Sequence, residues 1–124
     1  MGVEFLLYFY NYQNMEMNNA IEALGALAQE TRLEIFRALV RAHSPNSEEA
    51  GLPAGGLAEQ LGVAAPTLSF HLKELTRAGL VSARRDGRSI IYTANLGGMR
   101  ALADYLLEDC CQGACAPALK ETGT

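Results

Sequence analysis

All three cysteines of the 124-residue chain lie in one stretch, Glu108 to Cys115, which reads EDCCQGAC. Thiolate sulfur is a soft ligand and selects soft ions. On an intact helix Cys111 sits about 100° and Cys115 about 140° from Cys110, so only Cys111 and Cys115 are neighbours. Gly113 lets the backbone turn there, and in a turned segment all three sulfurs can converge on one ion. Three sulfurs from one short segment suit a pyramidal ion with a lone pair: As(III), and its congeners Sb(III) and Bi(III). Zinc prefers four ligands and would need Glu108, Asp109 or a group from elsewhere; Cd(II), Pb(II) and Hg(II) also remain open. Two plainer roles stand beside these, a disulfide formed under stress and tail thiols without a task.

A second group of residues has the chemistry of phosphate binding. Net charge is −4, but it is unevenly spread. Residues 62–100 carry six basic against two acidic side chains, while residues 1–61 sum to −5 and residues 101–124 to −3. A basic segment between acidic flanks is expected when one face meets nucleic acid. Arg84, Arg85 and Arg88 bracket Asp86-Gly87, so a tight turn there would crowd three guanidinium groups onto one tip. Such a tip suits backbone phosphate or a narrow minor groove, or else protects a sheet edge by charge.

These groups need elements to position them. From Asn19 to His43 the pattern is helical, with Ile21, Leu24, Leu27 and Ala28 on one stripe and Leu33, Phe36, Leu39 and Val40 on the next. Thr31 followed by Glu34 predicts a capping box between two helices. Ser44–Gly56 reads as loop, rich in Pro, Gly, Ser and Asn. Helix resumes over Leu57–Leu61 and breaks at Gly62, and Pro66 opens a further helix to Ala78 with Leu68, Leu72 and Leu75 on one face. The other face would carry Thr67, Ser69, Phe70, His71, Lys73, Glu74 and Arg77. Its hydroxyls can reach phosphate or base edges, and His71 and Lys73 can donate further along. Helix-start capping by Thr67 and Ser69, and a half-buried His71, are the alternatives.

Leu80–Arg85 and Ser89–Thr93 alternate in character around Asp86-Gly87, a strong hairpin signal. A last helix, Leu96–Asp109, carries Met99, Leu102, Tyr105 and Leu106 on a stripe and runs into the cysteines. The expected fold is therefore mainly α with a small β-hairpin: a helix-turn-helix followed by a β-wing.

The chain's size fits one domain with a modest core that a second copy would help. Three clustered cysteines do not make a secreted disulfide framework and fit a reducing, cytoplasmic setting. The first 14 residues hold five of the nine aromatics. Their apolar run is too short to span a bilayer and lacks the features of a signal peptide. It is either a docking segment or an artefact of start choice, since Met15 and Met17 each stand where a folded chain can begin.

Three stretches, ALAQETRLEIFRALV, LAEQLGVAAPTLSFHLKELTRAGLV and RRDGRSIIYTAN, together resemble the ArsR/SmtB family of metalloregulatory winged-helix repressors over residues 19–109. The resemblance implies a homodimer formed by the N- and C-terminal helices. It implies operator DNA bound without inducer and released with it. By position it assigns the recognition helix to Pro66–Ala78, with Thr67, Ser69, His71 and Lys73 facing DNA, and the wing to Arg84, Arg85 and Arg88. The chain departs from the family in two respects. Arsenic-sensing members often carry C-V-C-D-L before the recognition helix, where this chain reads LPAGGLAEQL without cysteine. Nor does its last helix offer a histidine for the family's His/Asp zinc site, only Asp104, Glu108 and Asp109.

The combined expectation is a DNA-binding repressor, not an enzyme and not a membrane protein. It divides into an N-terminal extension (1–17), a DNA-binding and dimerisation domain (18–109) and an inducer-binding tail (110–124). As(III), or Sb(III), held by Cys110, Cys111 and Cys115 would release double-stranded operator DNA. The alternative is a repressor responding to Cd(II), Pb(II) or Zn(II), or to thiol oxidation. A thiol enzyme is disfavoured because the chain has no C-x-x-C, no phosphate-cradling glycine loop and no βαβ pattern.

Overall fold

The structure is a computed structural model that describes residues 15–46 and 50–110. In chain order these form α1 (Met17–Leu27), α2 (Glu30–Arg41), β1 (Leu52–Pro53), α3 (Ala54–Leu61), α4 (Ala65–Arg77), β2 (Val81–Asp86), β3 (Ser89–Ala94) and α5 (Leu96–Leu106). The arrangement is mostly helical with one small antiparallel sheet in the order β1-β3-β2.

The core is a single cluster in which Ile35 and Leu39 of α2, Leu57 of α3, Leu68, Leu72 and Leu75 of α4, and Leu80 are fully buried. Burying each of these side chains is worth about 1.5–3 kcal/mol, so this cluster dominates the fold's stability. The buried residues of α1 are small, Ala20, Ala23 and Ala26, and Leu27 at its end packs half-buried against the cluster. Three large side chains of α1, Met17, Ile21 and Leu24, point outward and are exposed. Met15, ahead of α1, packs against the core, so the folded unit reaches into the stretch expected to be an extension.

Four local details differ from expectation, each for a physical reason. The N-cap of α2 is Gln29, not Thr31: Gln29 is extended at φ −152°, and its side chain accepts from the Arg32 amide at 2.8 Å. Glu30 then falls in the first turn, where the helix dipole favours an acid. Part of the expected loop is β1, with Leu52 opposite Tyr92 and Pro53 opposite Ile91. Two residues held by cross-strand pairing have no periodicity to read. The hairpin pairs Asp86 with Ser89, so its two loop residues are Gly87 and Arg88, one position later than expected. Finally, α5 stops at Leu106, and Asp109 takes a left-handed φ of 64°. The chain has left the helix before the first cysteine, and Cys110 sits in a single turn with its amide donating to the Leu107 carbonyl at 3.0 Å.

No helix of the described residues is long and apolar enough to cross a membrane.

Candidate nucleic-acid interface

α3 and α4 form the helix-turn-helix. Gly62, at φ 66°, ends α3 in the left-handed region that an L side chain resists, and Val63 and Ala64 complete the turn. Pro66 lies in the first turn of α4, where its missing N–H leaves no bond unmade. No side chain caps the start of α4. The exposed hydroxyls of Thr67 and Ser69 are thus not used as helix caps and stay available to an outside partner.

The inward stripe of α4 is Leu68, His71, Leu72 and Leu75. Outward lie Thr67, Ser69, Phe70 and Lys73, with Phe70 56% exposed. Arg77 is also exposed, and its guanidinium pairs with Glu74 one turn back. The expectation of a solvent-facing His71 is corrected, because its ring is buried. At i+3 from Leu68 it continues the leucine stripe, and the ring closes that stripe rather than opening the polar face.

Arg32 fixes His71 from α2. Its Nε donates to the Ala26 carbonyl at 2.7 Å, and its Nη1 lies 3.3 Å from His71 Nδ1. A guanidinium has only donors, so Nδ1 must be the acceptor and the ring is neutral, with its proton on Nε2. Burial, and secondarily the Arg32 charge, hold the His71 pKa below its ordinary value. Phe70 stacks edge-on against the same ring at 5.6 Å between centroids. Arg32 therefore ties the end of α1, the start of α2 and the middle of α4 together, a role not read from the sequence.

The wing also sorts its arginines. Arg85 and Arg88 are exposed at the hairpin end. Arg84 is half-buried and donates to the Ala50 carbonyl at 2.9 Å. The expected cluster of three guanidinium groups at the tip is thus two, with the third holding the segment that leads into β1. Opposite Arg85 across the hairpin stands Ile90, itself exposed.

Asn95 joins the wing to α5. It caps α5 by accepting from the Gly98 amide at 3.1 Å, and its Nδ2 donates to the Gly79 carbonyl at 2.9 Å. An Asn just before a helical run is a cap signal in the sequence, though the Gly79 bond is visible only in three dimensions.

Of the cysteines, Cys110 is half-buried and in no disulfide, and Cys111 and Cys115 lie outside the described residues. The described residues contain no group of three or more His, Cys, Asp or Glu able to hold a metal ion.

The helix-turn-helix domain family matches residues 27–83. The transcriptional activator HlyU of Vibrio cholerae is 33% identical over 104 residues, which cover 82% of this chain and 89% of that protein. The chain belongs to the ArsR-like family of winged helix-turn-helix transcriptional regulators. An ArsR-like transcriptional regulator from Rhodococcus sp. RHA1 superposes with a TM-score of 0.66 at 28% identity, covering 85% of this chain and 92% of that one. A probable mercury resistance operon repressor of Streptomyces lividans is 33% identical over 94 residues, or 76% of this chain and 67% of that protein. The family consists of DNA-binding regulators, not enzymes.

Proposed function

We propose that the chain is a homodimeric repressor that grips double-stranded operator DNA with α4 and the wing. Release follows when As(III), or Sb(III), is bound by Cys110, Cys111 and Cys115. The observation that carries the DNA reading is the division of α4. Its apolar stripe is consumed by the core, which leaves Thr67, Ser69, Phe70 and Lys73 outward beside Arg77, and the wing adds Arg85 and Arg88. Hydroxyls and a lysine on a groove-sized helix, with guanidinium groups a hairpin away, match the division between base reading and phosphate anchoring.

Dimerisation is supported by the outward large residues of α1, namely Met17, Ile21 and Leu24, and by exposed Leu106 and Leu107 at the end of α5. A soluble monomer has little reason to align three large apolar residues along one helix while burying alanines behind them. The effector reading is supported by the position of the thiols in the sequence, all three within nine residues of the end of α5 at Leu106. The Streptomyces lividans relative, named for mercury resistance, points to the same class of thiol-seeking ion.

The test is a fluorescence-anisotropy titration of the reduced protein on an upstream duplex, with and without arsenite, antimonite, mercury(II), cadmium and zinc. Arsenite should weaken binding by about 5- to 150-fold, the usual range of coupling between two sites. Changing Cys110, Cys111 and Cys115 to Ser should leave DNA binding in place and remove the response. A serine triple variant that still releases on arsenite would end the effector reading.

A further inference from the structure

We propose that the Asn95 carboxamide is the link through which a displacement of α5 reaches the recognition helix, which makes Asn95 a positioning residue for DNA release. The inference rests on the effector reading above and deepens it.

The geometry is a clamp at one end of a rod. α5 has eleven residues and so spans about 16 Å. Its far end opens into the turn that holds Cys110. Its near end is fastened by Asn95 to the residues immediately after α4. The Asn95 amide donates to the Leu80 carbonyl at 2.8 Å, and Nδ2 donates to the Gly79 carbonyl at 2.9 Å. The other half of the same carboxamide holds α5, since Oδ1 accepts from the Gly98 amide at 3.1 Å. One planar group thus bonds α5 and the turn that ends α4, and a tilt of α5 that keeps the Gly98 bond pulls on Gly79.

Two further features sharpen the contact. A Cβ on Gly98 would collide with the Gly79 carbonyl oxygen, so the first turn of α5 lies directly against the end of α4. Beside it opens a cavity of about 220 Å³ whose lining includes Arg77, Gly79, Asn95 and Gly98. The first turn of α5 therefore has open space on one side, bounded by Leu80 of the core. Arg77, on the outward face of α4, lines the same cavity, so a shift there is felt where DNA would be touched.

Asn95→Asp separates the two halves of the clamp. Aspartate caps a helix as well as asparagine does, so the Gly98 bond survives. It has no N–H for Gly79, so the side-chain tie to the turn after α4 is cut while the backbone bond to Leu80 remains. In the anisotropy assay the wild type should lose about 5- to 150-fold in affinity with arsenite, and Asn95→Asp less than about 2-fold. A thiol-reagent assay should show the variant's cysteines still protected by arsenite. Gly98→Ala should push α5 off the turn, weakening DNA binding without arsenite and leaving little further response. Full arsenite release by Asn95→Asp overturns the link while leaving the effector reading standing. A wild type whose thiols bind arsenite yet keep DNA overturns the effector reading and the link with it.

Discussion

α1 and α4 both carry an apolar stripe at helical spacing, yet they use it in opposite ways. In α4 the stripe of Leu68, Leu72 and Leu75 is buried in the chain's own core and the polar face is outward. In α1, Met17, Ile21 and Leu24 are exposed and the alanines are buried. Periodicity reports that a stripe wants cover, and says nothing of whether the cover is the same chain or a second copy. The helix with leucines inward is the one that fixes the fold. The helix with alanines inward is placed close to the core and leaves three large residues at the surface, where the proposed second copy would cover them.

The sharpest way to break this contrast is one truncation on one helix and one charge on the other. Leu72→Ala removes a side chain that is 1% exposed, and unfolding free energy should fall by about 2–5 kcal/mol in chemical denaturation. Ile21→Glu should instead give a folded monomer with unchanged helical signal. Two isoleucines would leave the dimer interface, about 3–6 kcal/mol together, which raises the dimer dissociation constant 100-fold or more, to be read by sedimentation. If Ile21→Glu leaves oligomeric state and operator affinity untouched, the α1 stripe has no partner and the contrast collapses.

The wing holds a smaller version of the same contrast, between arginines aimed outward and one aimed inward. Removing Arg85 and Arg88 together should lower the slope of log affinity against log salt by up to about 1.8, at roughly 0.9 per phosphate contact. Arg84→Ala should leave that slope near the wild-type value, because Arg84 is engaged with the Ala50 carbonyl. Equal slope losses for Arg84 and for either outward arginine would mean that the inward bond does not hold in the complex.

What was legible in the sequence follows the same division. The order of helices, the turn at Gly62 and the leucine face of α4 came through because each is a local pattern of 3 to 13 residues. The hairpin came through from Asp86-Gly87 even though the loop is Gly87-Arg88, because a shift of one residue leaves the signal in place. β1, the Arg32–His71 contact and the Arg84–Ala50 bond did not come through, since each joins residues far apart in the chain. His71 misled because a histidine among hydroxyls and a lysine looks polar by composition, while its position, three after Leu68, belongs to the stripe. The end of α5 misled because Leu106 and Leu107 are helix-forming and no glycine or proline marks the stop; the left-handed Asp109 lies just beyond it.

The smallest effect tests His71 directly. Its ring is neutral in the fold, with Nδ1 accepting from Arg32, and its pKa lies below the ordinary value of 6.5. Above pH 6.5 both folded and unfolded chains leave the ring uncharged, and the contribution to stability is fully present. As pH falls below 6.5 the unfolded chain takes up a proton that the folded chain refuses, so stability drops until the folded-state pKa is reached. The limiting slope is about 1.4 kcal/mol per pH unit for one group. His71→Gln keeps an acceptor for Arg32 and cannot titrate, so its denaturation midpoint should be flatter than the wild type's between pH 7 and pH 5. An exposed histidine pointing at DNA would give the reverse pattern: stability nearly independent of pH, and operator binding that tightens as the ring gains charge.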